Sequence, residues 1–223
     1  MIEGEVFVEQ YQRFLDLLTA EDKEGAVKFA LDLLESGEVD VAKLYQGVLA
    51  PSLKNMACQI DEKQWCIWKE NMRTAIVRTI IECCHPYVMK EKRANLGPQS
   101  NGRVVLVCPA EEYHEIGIRM VADMFTIAGY DVALIGANTP FPDIVSAVEY
   151  FKPKILGISA TSSYAIFAAE RAIKKVREKF PDKSLMIIVG GTAFESNPDA
   201  WKGIGADAYL SSFRDILALK GGK

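Results

Sequence analysis

The sequence predicts an α/β protein, with an N-terminal four-helix bundle followed by a doubly wound five-stranded parallel sheet of the Rossmann or flavodoxin-like kind. Apolar residues recur with a helical period in the first part of the 223-residue chain. In the second part, short apolar runs alternate with helical patterns. A polar stretch containing glycine and proline separates the two parts. We therefore predict a helical bundle cap over residues 1–90, a linker over 91–102 and a sheet domain over 103–223.

The first part carries the signals of four helices, each with an apolar face and a recognisable start or stop. They are predicted over positions 6–18, after a capping box at Thr19–Asp22, after a cap at Asp40 with a kink at Pro51, and from about Trp65 to Cys84 with a stop near His85–Pro86. Four amphipathic helices of this length are typical of a bundle.

The second part carries five short apolar runs, which read as buried parallel strands between helices. The runs are Val104–Val107, Val132–Ile135, Ile155–Ile158, Met186–Val189 and Ala208–Leu210, and the clearest helices are Ile116–Ala128 and Tyr164–Lys179. Ligands of doubly wound sheets bind beyond the carboxyl ends of the strands. We therefore expect the functional residues in the loops that follow these runs.

Composition and charge exclude several classes of function. The chain is 49% hydrophobic and 25% charged, and its net charge of −4 lies wholly in residues 1–100, which hold 12 Lys+Arg against 16 Asp+Glu. Without a basic stripe, direct binding of nucleic acid is not expected. No apolar run approaches the ~20 residues that span a bilayer, and no signal peptide is evident. The five cysteines are an odd number without the spacing of a disulfide framework. We expect a cytoplasmic protein with reduced thiols and no membrane segment.

The loop after the first strand contains one of only two histidines in the chain. Glu112 precedes His114 by two residues, and Gly117 follows it by three. A neutral imidazole binds transition metals well, and a carboxylate that accepts its other ring N–H fixes the tautomer. The pattern makes His114 a candidate metal ligand with Glu112 as its partner. A solvated histidine at the start of a helix is the alternative. Dinucleotide and P-loop glycine motifs are absent from the sequence.

Small and hydroxylated residues follow the third and fourth strands. Ser159 and Thr161 come at the end of one, and Gly190 and Gly191 at the end of the next. Such residues leave a slot between adjacent strands where an extended group can contact backbone and hydroxyls. The alternative is that the hydroxyls cap a helix and the glycines form a tight turn.

Together these residues form the ordered pattern Glu112-x-His114-x-x-Gly117, Ser159-x-Thr161 and Gly190-Gly191 after a helical bundle. This pattern resembles the cobalamin-binding module of methionine synthase and related proteins, in which aspartate is usual at the first position. The resemblance covers about residues 5–218. It implies a cobalamin held base-off, with His114 as the lower cobalt ligand in place of the benzimidazole and Glu112 as its partner. It also implies that the nucleotide tail enters the slot and that the bundle covers the upper face of the corrin.

Two roles are known for modules of this kind. Methyl carriers serve separate methyltransferases, whereas CarH-type regulators and related antirepressors act as sensors. Glu112 in place of aspartate, and Ile118 where carriers often have lysine, are more similar to the sensor branch. We expect a sensor, with the carrier as the alternative; heme or no cofactor is a third possibility.

The bundle departs from the light-responsive relatives in one respect. Their upper cobalt ligand is the histidine of a Glu-His pair, which aligns on Glu70 and Asn71, and asparagine has no imidazole. Trp65 and Trp68 lie nearby and are candidates to pack on the upper face of the corrin, or else within the bundle. The resemblance implies no catalytic group on the protein itself, a protein partner that is a regulator or a methyltransferase, and possible homo-oligomers.

Overall fold

The computed structural model describes residues 2–54, 63–95, 100–182, 184–195, 197 and 199–219, of which 2–7, 63–66 and 95 are described by their backbone alone. The chain divides into two compact units, residues 1–88 and 89–223. The predicted fold class is confirmed, since N-terminal helices precede a five-stranded all-parallel sheet. The predicted domain limits and linker stay a prediction. Among the described helices, none has both the length and the apolar character needed to cross a membrane.

The first unit is helical. Its elements are α1 (Ile2–Thr19), α2 (Lys23–Glu35), α3 (Val41–Leu44), a π-helical turn (Tyr45–Leu49), α4 (Ala50–Lys54) and α5 (Lys63–Asn95), which continues into the second unit. Phe14, Leu18, Tyr45 and Ile80 are fully buried and fill its core. The π-helical turn ends two residues before Pro51, where the sequence predicted a kink.

Two local predictions in this unit were wrong. Helix α2 is capped by Asp22 rather than by Thr19, because α1 continues through Thr19 and the Asp22 carboxylate accepts the N–H of Gly25 at 2.8 Å. Helix α5 does not stop at Pro86 but continues to Asn95. Pro86 is exposed, so the proline ring is accommodated on the solvent side of the helix.

The second unit is a doubly wound sheet. Its strands are β1 (Arg103–Pro109), β2 (Asp131–Thr139), β3 (Ile155–Ser159), β4 (Met186–Gly190) and β5 (Ala208–Tyr209). Its helices are α6 (Ile116–Ile127), α7 (Phe141–Phe151), α8 (Ser163–Lys179), α9 (Thr192–Glu195), α10 (Ala200–Gly203) and α11 (Phe213–Ala218). All strands are parallel, in the order β2-β1-β3-β4-β5. The chain therefore reverses its winding between β1 and β3, and their following loops diverge at that point.

The core of this unit lies where α7 and α8 cover one face of the sheet. Val105, Leu156 and Ile187 come from three adjacent strands and are fully buried there. Helix α8 meets them with alanines, including the buried Ala169 and Ala172. Short side chains on the helix let it approach the β-branched surface closely, which fixes α8 and the loop that precedes it.

The end of β2 is irregular where it passes β1. The register shifts twice, between Leu106 and Val107 and between Val107 and Pro109. Gly136 and Asn138 in this stretch have positive φ angles of 97° and 51°. These bulges redirect the end of β2 toward the loop that follows β1.

A close approach of the backbone fixes the ends of β3 and β4. Ser159 pairs with Gly190, and the next residue, Gly191, has a φ of 103°. A Cβ atom on Gly191 would lie 2.2 Å from the carbonyl oxygen of Ala160. Glycine is therefore required at position 191 for both space and backbone conformation.

We predict that Gly191→Ala destabilises the cofactor-free protein by about 2 kcal/mol or more, because it combines a positive φ with a backbone clash. Gly203→Ala is the matched control, since a Cβ there meets no atom within 4 Å and its φ is ordinary. Thermal unfolding followed by circular dichroism compares the two variants. Equal melting temperatures for both would contradict the prediction.

Candidate functional site

The loop after β1 pairs a buried carboxylate with an exposed imidazole. The side chain of Glu112 is 1% exposed and that of His114 is 73% exposed. Oε1 of Glu112 lies 2.6 Å from Nδ1 of His114 and also accepts the backbone N–H of His114 at 2.9 Å. Two bonds to one oxygen fix both the backbone of His114 and the direction of its ring.

The second oxygen of Glu112 reaches the neighbouring strand. Oε2 accepts the backbone N–H of Thr161 at 2.6 Å. Thr161 follows β3, whereas Glu112 follows β1, and these two strands are neighbours at the point where the winding reverses. One carboxylate thus joins the two loops that diverge there.

The environment of Glu112 favours its ionised form. Burial alone would raise its pKa, but the N–H groups of His114 and Thr161 and the ring of His114 outweigh burial and hold the pKa below its usual value. A carboxylate in this state accepts hydrogen bonds and donates none. Glu112 therefore favours the tautomer of His114 in which Nδ1 carries the proton.

This tautomer leaves Nε2 of His114 with a lone pair. Because most of the imidazole is exposed, Nε2 is accessible to a metal ion. The pairing of a histidine ligand with a carboxylate on its other nitrogen is the arrangement that raises ligand basicity in metalloproteins. The geometry fits the predicted roles of both residues.

The predicted slot lies where β3 and β4 end. Ser159 and Thr161 are half-buried, and their hydroxyls have no hydrogen-bond partner among the described residues. The carbonyl of Thr161 accepts the hydroxyl of Thr192 at 3.2 Å, and Gly191 leaves no side chain against Ala160. The two hydroxyls are therefore available to a ligand between the strands.

Gly117 lies in the first turn of α6. A Cβ added there would meet no atom within 4 Å, so the glycine leaves open space beside the helix. Packing within the described part of the chain thus gives no reason for a glycine at this position. A ligand that contacts the start of α6 would give one.

Four predicted site residues lie on α5, in the first unit. Trp68 is 40% exposed, Glu70 and Asn71 are exposed, and the side chain of Trp65 lies outside the described ones. Their assignment to the upper side of a corrinoid stays a prediction from the resemblance. The exposure of Trp68 disfavours the alternative that it is a core residue of the bundle.

Sequence reasoning missed the contact between the ends of β1 and β2. Oδ1 of Asn138 accepts the backbone N–H of Glu111 at 2.9 Å, and the N–H of Asn138 donates to the carbonyl of Glu112 at 2.8 Å. An asparagine next to a proline-containing turn was the available signal, because asparagine tolerates positive φ.

Cys108 lies beneath this loop and was also missed. Burial, with the charges of Glu112 and Glu115, raises the pKa of its thiol to about 12. The thiol therefore stays protonated, and its S–H donates to the carbonyl of His114 at 3.8 Å. A protonated buried thiol is a poor nucleophile, which suits a structural role.

We predict that Glu112→Gln destabilises the cofactor-free protein by about 1–3 kcal/mol at neutral pH, because an amide has one acceptor oxygen for three donors and adds its own N–H groups. Since the pKa of Glu112 is lowered by folding, its contribution is fully present above the unfolded-state pKa of ~4.3 and is lost as the pH falls through the folded-state pKa. Urea unfolding across this pH range should show the difference from wild type shrinking in acid.

Glu111→Gln is the matched control, because Glu111 is adjacent in sequence and its side chain is exposed. It should unfold like the wild type at every pH. A Glu112→Gln variant with the same pH dependence as the wild type would show that the carboxylate is not held as described.

Comparison with known proteins identifies the family of the second unit. Residues 102–218 match the family described as the B12 binding domain. The trimethylamine corrinoid protein 1 of Methanosarcina acetivorans is 24% identical over 91% of this chain and 91% of its own. The HTH-type transcriptional repressor CarH of Myxococcus xanthus is 28% identical over 70% of this chain and 49% of its own.

A solved structure confirms the fold. The monomethylamine corrinoid protein of Methanosarcina barkeri is similar with a TM-score of 0.79 at 17% identity, covering 95% of this chain and 96% of its own. The predicted resemblance and the predicted cofactor, cobalamin, are confirmed by the family match. The match covers more than half of the residues of this chain, and the chain therefore belongs to the B12-binding domain family.

Proposed function

We propose that the chain holds a corrinoid in its base-off form, with Nε2 of His114 as the lower axial ligand of cobalt. The observation that carries this proposal is the Glu112 carboxylate, which is 2.6 Å from both Nδ1 of His114 and the N–H of Thr161. It holds the ring in one direction and leaves its other nitrogen exposed. The sequence-based alternative of heme or no cofactor has no comparable support.

The residues present fit a corrinoid. The macrocycle supplies the equatorial ligands of its own metal, so the protein has to offer a single axial nitrogen. Gly117 leaves open space beside the histidine loop, and the hydroxyls of Ser159 and Thr161, which have no partner in the part of the chain that the structure describes, line a slot for an extended polar group. When bound, the corrinoid supplies a cobalt atom whose upper ligand can be exchanged.

The chain's own residues bind and orient rather than catalyse. Ionised Glu112 holds the proton on Nδ1 of His114 and leaves Nε2 with the lone pair that a metal would bind. Gly190 and Gly191 keep the slot free of side chains. We therefore propose no catalytic residue on this protein and assign it the binding of the cofactor, with the response or the reaction involving a protein partner.

The favoured role is a sensor or regulatory module. Glu112 in place of the usual aspartate and Ile118 after Gly117 are more similar to sensors than to carriers. Asn71 offers no imidazole for the upper face, so we do not expect the ligand exchange of the light-responsive relatives. Because the sequence has no basic stripe, the proposed regulator acts through a protein partner, and homo-oligomerisation is one way to report the state of the cofactor.

A corrinoid methyl carrier is the second candidate. Its support is that the trimethylamine corrinoid protein matches over 91% of both chains, whereas CarH is matched over 49% of its length. The solved methanol:cobalamin methyltransferase complex of Methanosarcina barkeri also contains a chain of related fold, at a TM-score of 0.50. In this role the partner is a separate methyltransferase.

The lower ligand can be tested directly. Protein labelled with nitrogen-15 histidine is loaded with unlabelled cobalamin and reduced to cobalt(II) for electron paramagnetic resonance. Coordination by a labelled histidine splits each cobalt line into a doublet, whereas the unlabelled benzimidazole gives a triplet. We expect the doublet in the wild type and its loss in His114→Ala, with affinity for cobalamin lowered at least about tenfold.

His85→Ala is the matched control, since His85 is the other histidine of the chain and is exposed. It should keep the doublet and the affinity. A triplet in the wild type, or a doublet that survives His114→Ala, would refute His114 as the ligand.

The two roles make different predictions. A sensor should change its oligomeric size or its capture of a regulator when the upper ligand changes from adenosyl to hydroxo, measured by light scattering in the dark and after illumination or chemical exchange. A carrier loaded with methylcobalamin should instead lose its methyl group from cobalt to the nucleophilic acceptor substrate supplied with an added corrinoid methyltransferase. Methyl turnover without a change of size would overturn the sensor role.

A further inference from the structure

The loop that carries the histidine is fastened on the side of β2 as well as on the side of β3. Asn138 makes two bonds to it, accepting the N–H of Glu111 through Oδ1 at 2.9 Å and donating its own N–H to the carbonyl of Glu112 at 2.8 Å. The backbone of Glu112 is thus held from β2, while its carboxylate is held by Thr161 from β3.

Both partners of this contact have unusual backbone conformations. Glu111 has a φ of 65° and Asn138 a φ of 51°, which L-residues adopt at an energetic cost. Asparagine tolerates this region better than most residues, but glutamate does not. Such conformations persist where the surrounding structure over-determines them, and they concentrate at functional sites. The hydrogen bond from the N–H of Glu111 to Oδ1 of Asn138 helps to hold Glu111 in this conformation.

A mechanical consequence follows for the histidine. Glu112 sets the direction of the His114 ring through a carboxylate whose own position depends on where the backbone of Glu112 lies. Releasing the backbone on the β2 side allows the carboxylate to rotate about its remaining bonds. The imidazole would then sample several directions rather than one, and the alignment of Nε2 would be lost.

We propose that Asn138 is a positioning residue that, through Glu111 and Glu112, aligns His114 for axial coordination. This inference rests on the proposed function, because it assumes that His114 is the ligand. Asn138 lies outside the His114 motif and the slot motif. The inference is that it nevertheless affects whether the cobalt binds the histidine or the benzimidazole. A merely structural bulge at the end of β2 would support the fold without affecting that choice.

Three variants separate these possibilities. Asn138→Gly keeps the positive φ and removes the Oδ1 acceptor, whereas Asn138→Asp keeps an acceptor oxygen at the same place. Lys152→Gly is the matched control, because Lys152 also has a positive φ, 46°. It lies before β3, near the amino end of that strand, whereas Asn138 lies near the carboxyl end of β2. Circular dichroism of the cofactor-free proteins verifies that each one is folded.

The readouts are cobalamin affinity and the cobalt(II) resonance spectrum of nitrogen-15 histidine protein. We expect Asn138→Gly to lower affinity about fivefold, as for one hydrogen bond, and to show a mixture of doublet and triplet. Asn138→Asp should restore the doublet and bring affinity to within about twofold of the wild type. Lys152→Gly should behave as the wild type.

Unchanged spectrum and affinity in Asn138→Gly would overturn the inference, as would equal losses in the glycine and aspartate variants. If Asn138→Gly fails to fold, Asn138→Asp and Asn138→Ser carry the test, since serine shortens the acceptor side chain; a serine variant identical to the wild type would also overturn it. A triplet in the wild type would mean that the proposed function fails, independently of any result for Asn138.

Discussion

The buried carboxylate of Glu112 is the constraint on which the rest of the site depends. A carboxylate that is 1% exposed is costly to bury unless each oxygen is hydrogen-bonded. Here the donors come from two different loops, the ring and backbone of His114 and the backbone of Thr161. If the loops after β1 and β3 moved apart, the buried carboxylate of Glu112 would therefore lose hydrogen-bond donors. This coupling keeps an exposed histidine in a defined direction although little protein surrounds its ring.

The sheet provides the conditions for that coupling. The order β2-β1-β3-β4-β5 makes β1 and β3 neighbours although two helices and a strand separate them in sequence. Alanines on α8 let the helix lie close to the sheet, so the loop between β3 and α8 is held from both ends. Gly191 allows the end of β4 to approach Ala160, which leaves the slot without side chains. Topology and small residues together bring the ligand-binding groups to one edge.

Much of this arrangement could be predicted from the sequence, and the failures have physical reasons. The five apolar runs gave the strands, and the spacing of Glu112 and His114 predicted their pairing. The bond from Thr161 was not predictable, because it uses a backbone N–H that any residue would offer. The contact of Asn138 with the loop after β1 was not predictable for a related reason, since it depends on two register shifts between β1 and β2. Pro86 misled because a proline usually ends or kinks a helix, whereas here it lies at an exposed position of α5 and the helix continues past it.

The glutamate at position 112 and the contact with Asn138 belong together. Glutamate is longer than the aspartate usual in the resembling modules by one carbon–carbon bond, ~1.5 Å. A glutamate can therefore make the same bonds to His114 and Thr161 from a backbone that lies farther away than an aspartate's. On the side of β2, the N–H of Asn138 meets the Glu112 carbonyl at 2.8 Å and so holds this backbone directly. Glu112 is thus held at both its carboxylate and its main chain, and the positive φ of Glu111 is maintained where the main chain meets Asn138.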